Sequence, residues 1–218
     1  MEMPELAGRR FDLITEADAR QIAPGSTVDL EGGGLVTPLA LETLASRKVT
    51  VVRRDSANAA LPADLAPPAV IGRVAIGSDH GGVALKAALV DHLRALGKVV
   101  TDYGTHGTTP VDYPDIAGAV ARAVARRDVE AGIVIDGAGL GSAIAANKVR
   151  GIRAAMCTTP TLARYAREHN GANVLTLGAT LVKVEEAKEI VQMWLSTPMR
   201  EERYIRRLLK VRRLEESF

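Results

Sequence analysis

Three short runs of the sequence combine residue types that can bind an anion or move a proton. SDHGG at residues 78–82 and DGAGLGS at residues 136–142 each follow an apolar stretch, and AREHN at residues 166–170 ends an amphipathic one. Glycines let the backbone approach a ligand closely, and the N-terminus of a helix offers unpaired N–H groups. The run at 136–142, which precedes the small-residue helix AIAANK, therefore predicts a loop that holds an anion or oxyanion.

Two arginines near the end of the chain have a spacing that suits a phosphate group. Arg203 and Arg207 stand four residues apart on a predicted helix, so both guanidinium groups project from one face and can donate charge-assisted hydrogen bonds. The surrounding segment, Met199–Phe218, holds seven basic and four acidic residues and is alternatively a solvated helical face. Nucleic-acid binding is discounted because aromatic residues are scarce and acids interrupt the basic run.

The same runs do not form a cofactor or metal site. A glycine pattern of this kind is weak by itself, and no acidic residue stands where a dinucleotide ribose would need one. The sequence has no His, Cys and carboxylate cluster at metal-ligand spacing. It therefore predicts chemistry without a cofactor and without a metal.

Alternating strand and helix patterns must position these runs. Short apolar stretches bounded by Gly, Asp or Thr alternate with amphipathic segments, which is typical of right-handed βαβ units in a parallel sheet covered by helices on both faces. In such an α/β fold, ligands bind beyond the carboxyl ends of the strands. The predicted strands are Val74–Gly77, Lys98–Asp102, Gly132–Ile135, Ile152–Met156 and Val174–Leu177, and the main helices are Val83–Leu96, Ile116–Ala125, Leu162–His169 and Val184–Leu195.

Composition agrees with this class. Hydrophobic residues make up 47% but aromatic ones only 3%, so Ala, Val, Leu and Ile must build the core. The single cysteine, Cys157, is predicted to be buried and inert, and it indicates a reducing compartment. No signal peptide and no membrane-spanning run are expected, which predicts a soluble cytoplasmic protein without a membrane partner.

The chain is predicted to have two folded parts. Residues 55–72 are rich in Pro and Ala and indicate a semi-rigid linker between a small appendage, residues 1–54, and the main domain, residues 73–218. In the appendage, Thr15 and Asp18 have the spacing of an acidic capping box that begins a helix. Two strand candidates, Ser26–Leu30 and Val49–Val52, surround a second helix and make it a small α/β unit.

The main domain resembles a known enzyme family. SDHGG, VDYPD at residues 111–115, the glycine loop followed by IAANKV, REHNGANVL and the closing RYIRR occur in the order found in the ribose-5-phosphate isomerase B and galactose-6-phosphate isomerase family. The resemblance covers residues 73–214. It implies a Rossmann-like parallel sheet sandwiched by helices, assembled as a homodimer or dimer of dimers with shared active sites. It also implies interconversion of ribose 5-phosphate and ribulose 5-phosphate through an enediolate.

The resemblance assigns a role to each matching position. His169 would assist opening of the furanose ring, and the loop N–H groups would hold the enediolate. Asn170 would contact the sugar, while the two arginines would bind the phosphate of the partner subunit's substrate. The implied substrate-binding residues are Asp79, His80, Gly137, Ala138, Gly139, Leu140, Gly141, Asn170, Arg203 and Arg207.

Departures from the family pattern leave the base open. Asp136 stands where many members have the proton-abstracting cysteine, and Ser142 stands where a second branch has a glutamate base. Ala138 and Thr180 replace a threonine and a phosphate-binding arginine. A carboxylate can abstract the proton if burial raises its pKa, so we hypothesise that Asp136 is the base. The alternatives are that Asp136 caps the following turn, that the substrate is another phosphosugar, and that the protein is a catalytically silent binding or scaffold protein.

The appendage resembles a second group of proteins. ITEADAR and VTPLALETLASRKVTVVRR, at residues 14–20 and 36–54, are similar to a segment at the start of ethanolamine-utilisation proteins associated with bacterial microcompartments. This resemblance implies docking of the enzyme among the shell or cargo proteins of such a compartment. The alternative is a small dimerisation or lid element.

Overall fold

The computed structural model describes residues 10–54 and 65–216. The chain divides into two compact units, residues 1–60 and residues 61–218, and each is described by itself. The first ten residues of the predicted linker, 55–64, lie outside the described residues. Its last eight belong to the second unit, where Leu65 and Ile71 are buried.

The first unit is a three-stranded parallel sheet in the order β1-β2-β3. The predicted capping box is confirmed: Thr15 Oγ1 accepts from Asp18 N at 3.3 Å, and Asp18 Oδ2 accepts from Thr15 N at 2.9 Å. The sequence did not predict β1, because Arg10 and Asp12 interrupt its apolar pattern. The elements are β1 (Arg10–Ile14), α1 (Glu16–Gln21), β2 (Thr27–Val36), α2 (Pro38–Ser46) and β3 (Thr50–Arg54).

The second unit has a five-stranded sheet in the order β5-β4-β6-β8-β7, and all of its strand pairs are parallel. All five predicted strands are present, but the fourth is shorter than expected because Ile152 N donates to Val149 O in a turn. The elements are β4 (Arg73–Ser78), α3 (Val83–Ala95), β5 (Val99–Asp102), α4 (Tyr113–Ala125), β6 (Ala131–Asp136), α5 (Leu140–Ala146), β7 (Ala154–Met156), α6 (Pro160–Glu168), β8 (Val174–Gly178), α7 (Val184–Ser196) and α8 (Glu202–Glu216).

Helices cover both faces of this sheet. On one face, Leu89 of α3, Ala163 of α6 and Trp194 of α7 pack on the strands, and on the other Val120 of α4 and Ala146 of α5 do so. Burial of a large aliphatic side chain contributes about 1.5–3 kcal/mol, so the two apolar layers hold the strands in register. The predicted parallel α/β sandwich is confirmed. No helix in the described ranges is long and apolar enough to cross a bilayer.

Because all strands of this sheet are parallel, their carboxyl ends lie together at one end of the sheet, called the carboxyl edge, and their amino ends lie together at the other, called the amino edge. The segments that follow β4 and β6 leave it at the carboxyl edge, where ligands of such folds bind. Helix α8 contacts the segment before β7, at the amino edge, since Glu215 accepts from Gly151 N at 3.2 Å and Arg150 Nη2 donates to Glu215 O at 3.2 Å. The contacting part of α8 therefore lies at the amino ends of the strands, and the residues after β6 lie at the carboxyl ends.

Candidate active site

Asp79 and His80 follow β4 at the carboxyl edge of the sheet. The Asp79 carboxylate caps a short 3-10 turn, with Oδ1 accepting from Gly81 N at 2.9 Å and Gly82 N at 3.1 Å. Asp79 N donates to Ile135 O on the neighbouring strand at 3.1 Å. These contacts fix the turn beside the end of β6 and present His80 to the same edge as the glycine loop.

The carboxylate of Asp136 is enclosed by hydrogen-bond donors. Oδ1 accepts from the backbone N–H of Ala138 at 2.8 Å and from that of Gly139, and Oδ2 accepts from both N and Oγ of Ser142, the former at 2.9 Å. The residue is 4% exposed. Asp136 thus closes the glycine loop on the first turn of α5, which is the capping role that the sequence left open.

These donors reverse the expected pKa shift. Burial acts to raise the pKa of Asp136, but the hydrogen bonds from Ser142, Gly139 and Ala138 together outweigh it. The pKa therefore lies below its ordinary value of 3.8. The prediction that burial would make this carboxyl a stronger base is wrong, because hydrogen bonds to the charged form stabilise that form.

The same contacts correct the expectation for the loop N–H groups. Those of Ala138 and Gly139 donate to Asp136, so in this state they are engaged and do not face an enediolate. Among the described residues, the backbone N–H groups of Gly137, Leu140 and Gly141 donate to no group. These three remain as donors for a substrate oxygen.

Further contacts make the loop rigid. Thr180 donates through Oγ1 to Gly137 O at 2.7 Å, and Thr176 Oγ1 donates to Gly139 O at 2.8 Å. Gly139 has a φ of +77°, a conformation that L side chains rarely adopt, and a Cβ there would lie 2.9 Å from Leu177 C. The loop is therefore preorganised by β8 as well as by Asp136.

Sequence reasoning missed Tyr113 as a site residue. A Cβ added to Gly141 would lie 2.6 Å from Cζ of Tyr113, so the tyrosine ring lies directly on the glycine loop. Tyr113 is 40% exposed and carries a hydroxyl at the carboxyl edge. The signal was the VDYPD motif at residues 111–115, to which the sequence analysis assigned no role.

His169 belongs to a separate cluster of rings and guanidinium groups. Its imidazole stacks on Tyr165 with centroids 4.8 Å apart and lies against Tyr204 with centroids 4.5 Å apart. The Cζ atoms of Arg203 and Arg207 lie 4.7 and 5.5 Å from the Tyr204 ring centroid. The structure therefore brings three of the predicted substrate groups together around one tyrosine.

Arg203 already pairs with a carboxylate in this cluster. Glu201 Oε2 lies 2.5 Å from Arg203 Nε, and its charge raises the pKa of Arg203. Both side chains are half exposed, so the pair is weak and a phosphate can replace the carboxylate.

Asn170 lies next to His169 in a loop held by a buried arginine. Asn170 is exposed, and its Nδ2 donates to Tyr165 O at 3.4 Å. Arg167 is fully buried and donates to Ala172 O at 2.8 Å and to Pro68 O at 3.2 Å. Burial lowers the pKa of Arg167 to about 10. Arg167 is therefore a structural cation that fixes the loop carrying His169 and Asn170.

The two groups of site residues lie at opposite edges of the sheet. Helix α6 runs back from the carboxyl edge, so His169 at its end precedes β8, where Asn173 O accepts from Gly132 N at the start of β6. Asp136 pairs instead with Gly178 at the end of β8. The start and the end of β8, five residues long, are roughly 13 Å apart along the strand, and this distance separates the end of α6 from the glycine loop. One chain therefore does not bring His169 to its own glycine loop.

The described ranges show no metal centre: no three His, Cys, Asp or Glu side chains within them lie together as ligands would. The donors at the two edges are backbone N–H groups and guanidinium groups, and the imidazole of His80 accepts from Val111 N at 3.4 Å through Nδ1. Such donors suit an anionic, oxygen-rich substrate.

Comparison with known proteins places the second unit. The family model described as Ribose/Galactose Isomerase matches residues 74–211. The chain is 42% identical over 144 residues to ribose-5-phosphate isomerase B of Escherichia coli, which covers 66% of this chain and 97% of that protein. It is 43% identical over 124 residues to the D-erythrulose-4-phosphate isomerase of Pectobacterium atrosepticum, which covers 56% and 81% of the two chains.

A solved structure agrees with the fold. Ribose-5-phosphate isomerase B of Clostridium thermocellum matches with a TM-score of 0.66 at 48% identity, covering 66% of this chain and 98% of that one. The range of the family model, residues 74–211, lies within the second unit.

Proposed function

Because the chain belongs to the Ribose/Galactose Isomerase family, we propose that it interconverts ribose 5-phosphate and ribulose 5-phosphate through an enediolate. The protein is an isomerase by this membership. The observation that supports the proposed substrate is the cluster in which His169, Arg203 and Arg207 share the ring of Tyr204. It places a group suited to ring opening beside two groups suited to phosphate.

We further propose that each active site forms between two copies of the chain. One copy would supply His80, Tyr113 and the glycine loop, and the other would supply His169 and the arginines. The separation of these groups within one chain supports this arrangement, as does the exposure of Leu140 (58%) and Ile144 (65%) on α5 beside the loop. A C2 dimer buries such a patch in two equivalent contacts and completes two sites.

In the proposed reaction, a base removes the proton from C2 of the open-chain aldose and the same proton returns to C1, while a proton passes between O1 and O2. The free N–H groups of Gly137, Leu140 and Gly141 would stabilise the enediolate oxygen. We propose Asp136 as this base. In that role one of its carboxylate oxygens must release a hydrogen bond from the glycine loop and face the C2 proton of the substrate instead.

Isomerisation of ribose 5-phosphate by the purified full chain tests the function. We expect turnover to ribulose 5-phosphate without added metal. D-Erythrulose 4-phosphate is the second substrate to assay, because a relative is named for it and because Thr180 removes one phosphate-binding arginine of the family pattern. If only D-erythrulose 4-phosphate is turned over, it replaces ribose 5-phosphate as the proposed substrate. If neither sugar is turned over, the result favours a catalytically silent binding protein.

For the first unit we propose docking within a bacterial microcompartment. Its support is the resemblance of residues 14–20 and 36–54, together with apolar side chains exposed on the unit, such as Leu35, Leu39 and Leu41. Deletion of residues 1–60 is expected to leave isomerase turnover intact and to abolish co-purification with compartment shells. Retained co-purification would favour the dimerisation or lid alternative.

A further inference from the structure

The ring of Tyr204 stands between the group suited to ring opening and the groups suited to phosphate. It is 6% exposed and packs with Leu65, Met199 and Leu208. Its neighbours in the site, by contrast, reach solvent: a third of the His169 side chain and more than half of that of Arg203 are exposed. Tyr204 is thus the fixed member of the cluster, and the substrate groups are arranged around it.

Contacts of two kinds connect Tyr204 to the arginines. Arg203 Nη2 donates to the tyrosine Oη at 2.9 Å, while its Cζ lies 4.7 Å from the ring centroid. Arg207, one helical turn further along, places its Cζ 5.5 Å from the same centroid. A guanidinium group over an aromatic face is attracted by the negative face of the ring, and this attraction restricts a flexible side chain.

The imidazole of His169 is held by the same ring. Tyr204 and Tyr165 both lie within stacking distance of it, at angles of 32° and 15°. Tyr165 precedes His169 by one helical turn and makes no contact of this kind with Arg203 or Arg207. Among the residues that the structure describes, only Tyr204 touches both the imidazole and the two guanidinium groups.

We propose that Tyr204 is a positioning residue that sets the distance between the His169 imidazole and the phosphate-binding arginines, and so selects phosphosugars by length. This inference rests on the proposed function. A ring that fixes this distance favours the substrate whose reacting end and phosphate are separated by a matching length, since misplacement by about 1 Å can cost two orders of magnitude in rate. Tyr204 acts through its neighbours and does not itself contact the reacting atoms.

Three variants test the proposal by steady-state kinetics on ribose 5-phosphate and D-erythrulose 4-phosphate. Tyr204→Leu removes the ring and is expected to lower kcat at least about tenfold, raise KM and bring the kcat/KM ratio of the two substrates towards one. Tyr204→Phe keeps the ring and loses the oxygen, so KM should rise about two- to fivefold with kcat unchanged. Tyr165→Leu is the matched control, which should lower kcat and leave the substrate ratio unchanged.

The inference is overturned if folded Tyr204→Leu keeps the wild-type substrate ratio, or if Tyr165→Leu changes that ratio equally. If Tyr204→Leu does not fold, Tyr204→Phe decides alone, and an unchanged KM for the preferred substrate overturns the proposal.

A binding measurement separates this inference from the proposed function. Inorganic phosphate is titrated into the full chain while the imidazole resonances are followed by NMR, with His169→Asn used to assign His169. We expect phosphate to shift the His169 signals in wild type and in Tyr165→Leu but not in Tyr204→Leu. This result would support the coupling even if neither sugar turned over, and an equal response in all three proteins would contradict it.

Discussion

Replacing Asp136 by Asn is expected to lower the free energy of unfolding at pH 7 by roughly 2–4 kcal/mol. The buried carboxylate accepts from Ala138, Gly139 and twice from Ser142. An amide has one acceptor oxygen, so its NH2 group would face N–H donors and leave them without an acceptor. Denaturant unfolding of the two proteins measures the difference, and a change below about 0.5 kcal/mol would contradict a structural role of Asp136 in closing the glycine loop on α5.

The effect should depend on pH in a direction that the hydrogen bonds determine. Because the folded-state pKa of Asp136 lies below 3.8, the carboxylate stabilises the fold at pH values above 3.8 and loses this contribution as pH falls through the lower folded value. The stability difference between wild type and Asp136→Asn should therefore be constant from neutral pH to about pH 5 and should narrow below about pH 4. Unfolding curves at pH 7 and pH 3.5 measure this.

Turnover per folded molecule then distinguishes the structural role of Asp136, closing the glycine loop, from a catalytic role as the base. A base role predicts that Asp136→Asn loses turnover beyond its loss of folded protein and that Asp136→Cys recovers part of it. Ser142→Ala is the matched control, because it removes one donor and moves the pKa of Asp136 upward. The acid limb of kcat/KM should move upward with it. If Ser142→Ala keeps wild-type turnover and the acid limb of its kcat/KM profile does not move, Asp136 closes the glycine loop but is not the base.

Mixing two inactive variants is expected to restore about a quarter of wild-type activity if the site is shared. Gly139→Val disables the glycine loop, because the φ of +77° and the contact with Leu177 leave no room for a side chain. His169→Asn disables the opposite edge. Half of the randomly mixed dimers would contain both chains, and each of these would have one site made of two intact halves.

A second mixture provides the control. His169→Asn and Arg203→Met alter the same half of the proposed site, so their mixed dimers contain no intact site and should stay inactive. The assay uses chains refolded together and then sized to confirm dimers. If neither mixture recovers activity although mixed dimers form, each site lies within one chain and the shared arrangement is wrong.

The sequence alone determined the order of the strands in the second unit and the capping of the first helix. The second unit's strands were recognisable because apolar periodicity and bounding glycines depend on neighbours a few residues apart. The Thr15 cap is equally local, since both of its hydrogen bonds span three residues. Strand β1 was not predicted, because Arg10 and Asp12 interrupt its apolar pattern and the strand forms by pairing with β2, a contact between distant segments.

Tertiary structure decided the direction of the Asp136 pKa shift and the separation of His169 from the glycine loop. Burial was foreseeable, but the sign of the pKa shift depends on where four donors point, and the closure of the loop on α5 sets those directions. The motifs placed His169 in the family's site, yet α6 carries it to the amino edge, away from the glycine loop. The ring shared by His169 and the arginines joins residues from two helices. Such contacts depend on packing between distant segments, which local periodicity does not encode.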